Sequence, residues 1–214
     1  MKTRDKILVT SLLLFNEEGE PNVTTVDISN EMDISPGNLY YHFKGKEAII
    51  EELFSAFENE ISDILSAPLN KTLSVEDSWF YLYVVFEEIY NFRFFYQNLT
   101  NLLYRYDSIN RRFKRLIELK ARTVQVLLQE VITHGVLKID RDELNQLCDS
   151  ITLTLTYWLT FSDLRGQSLP PPVTIHQGVF QVVHLLAPYL TEDYAHIYRE
   201  CKALYEQVVT EIMT

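Results

Sequence analysis

The stretch from residue 24 to residue 47, TTVDISNEMDISPGNLYYHFKGKE, constrains the fold more than any other part of the chain. It predicts two short helices joined by a tight turn, followed by the start of a third helix. Thr24 is a candidate N-cap for the first helix, and Asp27 supplies the acid of a capping box. Ser35 can cap the second helix. Pro36 fits the first turn of that helix, where its missing N–H costs nothing.

The second short helix has one apolar side and one polar side. Leu39 and Phe43 lie four residues apart and are expected to face the interior. The outer side is left with Gly37, Asn38, Tyr40, Tyr41 and His42. Such a side suits a helix that contacts phosphates and base edges of DNA. The alternative interpretation is a helical hairpin that only packs.

The same segment carries a resemblance to a known family. Its pattern, TVxI at residues 25–28 and ISxGxLYxHFxxKE at residues 34–47, resembles the helix-turn-helix of the TetR family of bacterial repressors. Two residues depart from the family pattern. Asp33 stands where a turn glycine is usual, and Ser29 stands where alanine is usual. Both are small or compatible with a turn, so we expect a slightly altered turn with function retained.

The resemblance implies an all-α fold with two domains. Residues 1–48 are expected to form a three-helix DNA-binding domain with the helix-turn-helix, and residues 49–214 a larger helical bundle that binds an effector and dimerises. Phosphate contacts are implied for Thr25, Tyr41, His42 and Lys46. Contacts to base edges or the thymine methyl group are implied for Pro36, Gly37, Asn38 and Tyr40, with Ser35 completing the candidate DNA-binding residues.

The composition fits a helical protein, whereas the net charge is unfavourable for DNA binding. The 214 residues include only 6 glycines and no alternating runs of β-branched residues, which argues against a sheet protein. The net charge of −11 is unfavourable for approach to DNA. Residues 34–46 contain no acid, however, while His42, Lys44 and Lys46 are present. We therefore expect weak long-range attraction and binding through short-range donors.

Aromatic residues are concentrated between residues 79 and 104, and a basic run extends from residue 104 to residue 122. The aromatic stripe predicts either plain core or the wall of an apolar cavity. The basic run predicts either a solvated helix face or a site for an anionic head group. The candidate ligand-binding residues are Tyr83, Phe86, Tyr90, Arg112, Tyr157, Trp158 and Phe161.

Two later helices, over residues 142–164 and about 173–190, carry more apolar residues than one bundle needs to cover. A single short recognition helix contacts too few bases to be specific, and by resemblance these two helices pair with those of a second copy. We therefore expect a homodimer. The candidate contacts are Leu155, Thr156, Leu159, Val179 and Val183.

Three segments resemble a subgroup of TetR-like regulators tied to polyhydroxyalkanoate and fatty-acid metabolism: MKTRDKIL at the start, GEPNVTTVDISNEMDISPGNLYYHF, and FFYQNL at residues 94–99. The resemblance implies a repressor whose operator affinity is controlled by a hydrophobic small molecule, such as a fatty acid or an acyl-coenzyme A. The alternative is a DNA-binding regulator that senses a protein partner and no small molecule.

Nothing in the sequence indicates an enzyme. There is no glycine-rich phosphate loop and no pair of histidines at ligand spacing, so we expect no catalytic residue, metal or cofactor. No window of about 18 apolar residues and no signal-like start occur. Cys148 and Cys201 are far apart and fit reduced thiols. We expect a cytoplasmic protein that binds operator DNA, a hydrophobic effector and a second copy of itself.

Overall fold

The computed structural model describes residues 1–70, 75–166 and 169–213, and the side chains of residues 70, 75–79 and 213 lie outside this description. The described residues form α-helices, and their only extended pairing is an isolated bridge between Leu137 and Leu190. The predicted all-α fold is confirmed. The helices are α1 (Thr3–Glu18), α2 (Thr25–Glu31), α3 (Pro36–His42), α4 (Lys46–Asn70), α5 (Val75–Asn91), α6 (Arg93–Gln97), α7 (Leu99–Arg105), α8 (Asp107–Thr133), α9 (Arg141–Leu164), α10 (Pro171–Leu186) and α11 (Ala195–Met213).

The chain separates into two compact units. Unit 1 comprises residues 1–60 and 92–113, and unit 2 comprises the described residues of 61–91 and 114–214. The helices α4 and α8 contribute residues to both units. Compactness thus divides the chain at other points than residue 48, because the first half of α4 and the segment from α6 to the start of α8 group with the N-terminal helices.

Unit 1 has a core of aromatic rings beneath its short helices. Phe15 on α1 lies 5.3 Å from Phe94 on α6, measured between ring centroids. On α4, Phe54 meets Phe95 edge to face at 5.3 Å. These rings are all buried, and edge-to-face pairs of this kind stabilise a core beyond the area they bury. The helix-turn-helix segment is therefore mounted on a well-packed base.

Unit 2 is a helical bundle in which α10 packs against α5, α9 and α11. The helix α9 begins at Asp140, whose side chain accepts hydrogen bonds from the backbone N–H groups of Asp142 and Glu143 at 2.9 Å. The outer side of α10 is covered by α11, since Phe180 stacks on Tyr205 with ring centroids 4.8 Å apart. The inner side of α10 faces α5 and α9.

Candidate functional site

The helix α2 starts at a reciprocal capping box. The backbone N–H of Asp27 donates to Thr24 Oγ1 at 3.2 Å, and the backbone N–H of Thr24 donates to Asp27 Oδ2 at 2.8 Å. The Thr24 hydroxyl also donates to Asp27 Oδ2 at 2.6 Å, and this hydrogen bond lowers the pKa of Asp27 below its usual value. The predicted capping box is confirmed, and it fixes the first residue of α2.

The turn between α2 and α3 is a Schellman motif. The backbone N–H of Ile34 donates to the carbonyl of Ser29 at 3.0 Å, and that of Asp33 donates to the carbonyl of Asn30 at 3.1 Å. Asp33 has φ +52°, the left-handed conformation that this position requires. Aspartate tolerates that conformation better than most residues do. The departure from glycine at this position therefore leaves the tight turn intact.

The helix α3 divides into a buried side and an exposed side, as the sequence predicts. The backbone N–H of Asn38 donates to Ser35 Oγ at 3.2 Å, and Pro36 occupies the first turn. Leu39 and Phe43 are buried. We call the opposite side the α3 surface, and it consists of the exposed residues Ser35, Pro36, Gly37, Asn38, Tyr40 and Tyr41.

Two tyrosine side chains dominate the α3 surface. Tyr40 is 57% exposed and Tyr41 is 79% exposed, so both rings are accessible to a binding partner. Lys44 Nζ lies 4.5 Å from the centroid of the Tyr40 ring, so a cation stands beside the surface. His42 and Thr25 are half-buried at its margins. Aromatic hydroxyls, an amide and a lysine together provide the donors that phosphates and base edges accept.

Lys46 is placed differently from the prediction. Its ammonium is 2.9 Å from Glu20 Oε1, and it donates to the backbone carbonyls of Glu20 at 2.6 Å and Val23 at 2.8 Å. These three acceptors match the three N–H donors of a lysine. The donors of the Lys46 side chain are therefore already used inside unit 1, and the structure does not place them for the predicted phosphate contact.

The free energies of the competing interactions favour the pairing of Lys46 with Glu20. The carboxylate of Glu20 is completely buried, and removing one partner of a buried ion pair costs about 3–5 kcal/mol. A hydrogen bond to a charged group is worth only about 1.5–3 kcal/mol. These magnitudes favour the pairing of Lys46 with Glu20 over a single phosphate contact. No local pattern in the sequence indicates this pairing, because Glu20 lies 26 residues earlier, in the connection between α1 and α2, and resembles any solvated acid there.

A second ion pair within unit 1 connects α1 to α4 near the end of α3. Arg4 on α1 donates to both carboxylate oxygens of Glu52 on α4, at 2.5 and 2.6 Å. The Arg4 guanidinium carbon also lies 4.8 Å from the centroid of the Phe43 ring at the end of α3. The bidentate pair holds α1, α3 and α4 in a fixed arrangement.

The predicted ligand-binding residues do not share one cavity wall. Phe86 and Trp158 are buried and pack around Gly178. Tyr157 is 45% exposed and diverges from Trp158 by about 100° around α9. Phe161 is 51% exposed, and its ring contacts that of Trp158 with centroids 5.9 Å apart. The structure therefore places these two side chains at the surface of α9 and not in an internal pocket.

The other three candidates have different surroundings. Tyr83 lies against His176 with ring centroids 4.9 Å apart, and Tyr90 is half-buried near the end of α5. Arg112 belongs to unit 1, where it donates to Glu58 at 2.7 Å and Ser55 at 3.0 Å. The structure therefore does not place Arg112 together with the other predicted ligand-binding residues.

Unit 2 instead contains an aliphatic cavity of about 80 Å³. Four helices, α5, α8, α9 and α10, contribute to its wall, which offers almost no polar surface. Its lining residues are Leu82, Val124, Leu127, Leu128, Val131, Ile151, Val182 and Leu186. None of the predicted ligand-binding residues is among them. A cavity of this composition accepts a hydrocarbon group and rejects a charged one.

The predicted dimer contacts are covered by their own chain. Leu155, Thr156, Leu159, Val179 and Val183 are all buried within unit 2. The apolar residues that α9 leaves exposed form another line, which we call the α9 stripe: Leu153, Tyr157, Phe161 and Leu164, between 45% and 82% exposed. Their spacing of four, four and three residues places them on one side of the helix. The stripe is the apolar surface of α9 that remains available to a second chain.

In the part of the chain that the structure describes, no group of three or more His, Cys, Asp or Glu side chains is arranged to hold a metal ion. Within residues 1–70, 75–166 and 169–213, no helix combines the length and apolar character needed to cross a membrane.

Comparison with known proteins agrees with this architecture. A family model described as bacterial regulatory proteins of the tetR family matches residues 7–53, and one described as a bacterial transcriptional repressor matches residues 56–198. A crystal structure of a TetR-family transcriptional regulator from Marinobacter aquaeolei VT8 is 33% identical and superposes with a TM-score of 0.84, covering 97% of this chain and 98% of that one.

Two curated relatives match over shorter segments. The probable HTH-type transcriptional regulator YttP of Bacillus subtilis is 27% identical over 110 residues, or 51% of this chain and 53% of that protein. The biofilm operon icaADBC negative regulator IcaR of Staphylococcus aureus is 32% identical over 69 residues, or 32% of this chain and 37% of that protein. The chain thus spans about half the length of the first relative and less of the second. These relatives are regulators and not enzymes, and the chain belongs to the TetR family of bacterial transcriptional regulators.

Proposed function

We propose that this protein is a ligand-responsive transcriptional repressor that recognises an operator through the α3 surface. The observation that carries the proposal is the pair of exposed tyrosines, Tyr40 and Tyr41, on a short helix whose start and base are fixed by caps and ion pairs. A rigid helix with polar and aromatic groups on its outer side fits the major groove. Thr25 and His42 extend the contact to the phosphates beside it.

Electrostatics favour binding by close contact. The chain has a net charge of −11, so its overall field repels DNA. The α3 surface carries no acid, and the exposed Lys44 stands next to it. With Lys46 engaged inside unit 1, few cations remain for phosphates. We therefore expect an operator affinity that depends on salt less steeply than that of a strongly basic repressor.

The repressor acts as a homodimer in this proposal. Regulators of the TetR family bind operators and act as dimers, and the α9 stripe offers an apolar surface for a second chain. Two copies of α3 then read two half-sites about 34–36 Å apart. A stable interface needs upwards of about 1,200 Å² in total, so residues of other helices are expected to surround the stripe.

The effector in this proposal is a hydrophobic molecule, with a fatty acid or acyl-coenzyme A as the first candidate. The support is the aliphatic cavity in unit 2, whose wall suits part of an acyl chain. The cavity offers no cation for a carboxylate or phosphate, so a polar head group would remain outside it. An effector that prefers the non-binding state by a few kcal/mol is enough to act as an inducer.

The DNA-binding part of the proposal is tested with matched tyrosines. Tyr41 on α3 and Tyr104 on α7 are both strongly exposed residues of unit 1, at 79% and 87%. A duplex is first selected from a random-sequence library by the wild-type protein, and its affinity is measured by fluorescence anisotropy. Tyr41→Ala should weaken binding at least fivefold, on the order of 1 kcal/mol, whereas Tyr104→Ala should not. Equal affinities of the wild type and Tyr41→Ala would sink the assignment.

The effector is tested separately by thermal unfolding with saturated fatty acids of increasing length and with their coenzyme A thioesters. A bound effector raises the melting temperature and lowers operator affinity. Val131→Phe, which places a ring at the partly open wall of the cavity, should abolish both effects. Failure of every acyl compound to change either quantity would favour the alternative regulator that responds to a protein partner.

A further inference from the structure

The carboxylate of Glu20 is completely buried in unit 1 and serves two cations. Its Oε1 atom lies 2.9 Å from Lys46 Nζ and 3.5 Å from Arg105 Nη1. We call these three residues the Glu20 cluster. Glu20 lies in the loop before α2, Lys46 is the first residue of α4, and Arg105 is the last residue of α7. The cluster therefore joins three parts of unit 1 that are distant in sequence.

We propose that the Glu20 cluster positions the DNA-binding segment, and that it governs operator affinity without contacting DNA. The inference rests on the proposed function, because it concerns the same surface. In this account Glu20, Lys46 and Arg105 are positioning residues. Their effect reaches the operator through the loop before α2 and through α2 itself.

The geometry shows how the cluster acts on α2. Lys46 Nζ donates to the carbonyl of Val23 at 2.8 Å, and Val23 directly precedes Thr24, the N-cap of α2. The second carbonyl bond of Lys46, to Glu20 itself at 2.6 Å, holds the other end of the same loop. Both ends of the loop are thus tied to the start of α4. Loss of the lysine would release the loop and leave a buried carboxylate short of its closer cation.

Through Arg105, the Glu20 cluster also links α7 to the loop that supports the DNA-binding segment. Arg105 reaches Glu20 from α7, although α7 contributes none of the candidate DNA-contacting residues. Among the described residues, Glu20 Oε2 and the buried hydroxyl of the neighbouring Tyr106 have no hydrogen-bond partner. One acceptor and one donor therefore remain unused at this end of α7. A small movement of α7 can change which groups Glu20 binds, and so change the support of the loop.

The decisive experiment is a rescue, measured with the selected duplex between about 50 and 200 mM salt. Lys46→Met should weaken operator binding tenfold or more, because it leaves Glu20 buried with an inadequate partner. Adding Glu20→Gln removes that buried charge and should restore part of the lost affinity, since the two carbonyl hydrogen bonds of Lys46 are not replaced. The slope of affinity against salt should stay at the wild-type value throughout, since no phosphate contact is lost.

Lys44→Met is the matched control, because Lys44 is an exposed lysine beside the α3 surface. It should lower the salt slope by about one, and Glu20→Gln should not restore it. Arg105→Met provides a milder variant if Lys46→Met does not fold, as judged by circular dichroism. Arg105 is 39% exposed, so its loss should weaken binding severalfold with an unchanged slope.

Two results would overturn the inference while leaving the proposed function intact. One is a salt slope lowered by about one in Lys46→Met with no rescue by Glu20→Gln, which would make Lys46 a phosphate contact. The other is wild-type affinity in both Lys46→Met and Arg105→Met. A wild-type protein that enriches no sequence from the library would instead overturn the proposed function and this inference together.

Discussion

Lys120 on α8 is completely buried in unit 2, and its Nζ lies 3.4 Å from the carbonyl oxygen of Leu155. Burial lowers the pKa of Lys120 to about 7 from a usual value of 10.5. Between these two pH values the unfolded chain holds a proton that the folded chain lacks. The free energy of unfolding therefore rises with pH above about 7, and the cost of burying the charged form is fully present below that pH.

Lys120→Met should consequently be more stable than the wild type at about pH 6. Its advantage should shrink as the pH rises from about 7 to about 9, by up to about 1.4 kcal/mol per pH unit. Urea unfolding at a series of pH values measures this difference. Lys114→Met, which removes an exposed lysine of the same helix, should show no such trend. A stability difference that is constant with pH would mean that Lys120 does not titrate in this range.

Residues whose roles depend on near neighbours were predictable from the sequence. The capping box of Thr24 and Asp27, the cap at Ser35 and the turn at Asp33 each involve hydrogen bonds over three to five residues. Lys46 was not predictable, because its partner depends on how the chain brings a distant loop acid to the start of α4. Hydrogen bonds between near neighbours can be predicted from the sequence. Which distant acceptor a side chain such as Lys46 binds depends on how the chain packs.

At the scale of helices, the close approach of α10 to α5 and α9 depends on Gly178. A Cβ atom at this position would lie 2.6 Å from Phe86 Cε1 and 2.8 Å from Trp158 Cδ1. Trp158 is held in place because its Nε1 donates to the carbonyl of Thr174 at 3.1 Å. Gly178→Ala should therefore lower the free energy of unfolding by about 1–3 kcal/mol.

Gly37→Ala is the control for this substitution, since it also lies in a helix but a Cβ there meets only Ser35 Oγ at 3.9 Å. Its stability should equal or exceed that of the wild type, because alanine favours a helix. Thermal unfolding monitored by circular dichroism compares the two variants. Equal stability of Gly178→Ala and the wild type would show that the helices can separate at no cost.

The helices themselves were largely predictable, and so was the buried side of α3, but the buried side of α9 was not. The predicted span 142–164 matches α9 closely, because its apolar periodicity is strong. Apolar residues of α9 recur on more than one side of the helix. The periodicity alone does not identify which side packs against the rest of the same chain. Leu155 and Leu159 lie on the buried side of α9, whereas Tyr157 and Phe161 lie on its exposed side. For this reason the structure buries the predicted dimer contacts and exposes part of the predicted aromatic ligand wall.

At the scale of the whole molecule, the α9 stripe predicts the assembly. Phe161→Lys and Leu153→Lys place charges in the middle and at one end of the stripe, so each should convert the dimer to a monomer at micromolar concentration. Sedimentation velocity measures the change. Leu204→Lys is the control, since Leu204 is an exposed leucine on α11, outside the stripe. An unchanged dimer in both stripe variants would place the interface elsewhere.

Loss of the dimer should also reduce operator affinity by far more than any single contact on α3. A monomer carries one recognition helix and binds one half-site, so the second set of contacts is lost entirely. Anisotropy with the selected duplex and with an isolated half-site distinguishes the two cases. The stripe variants should bind both duplexes alike, whereas the wild type should strongly prefer the full operator.

The α9 stripe has a further consequence for how the regulator responds to its own abundance. When the chain is dilute enough to dissociate, the concentration of dimers rises with the square of the concentration of chains. Operator occupancy then changes more steeply than the supply of protein, because a twofold fall in chain concentration lowers the dimer concentration about fourfold. Through the proposed dimer, apolar side chains left uncovered on one helix would thereby make the response of the regulated gene steeper.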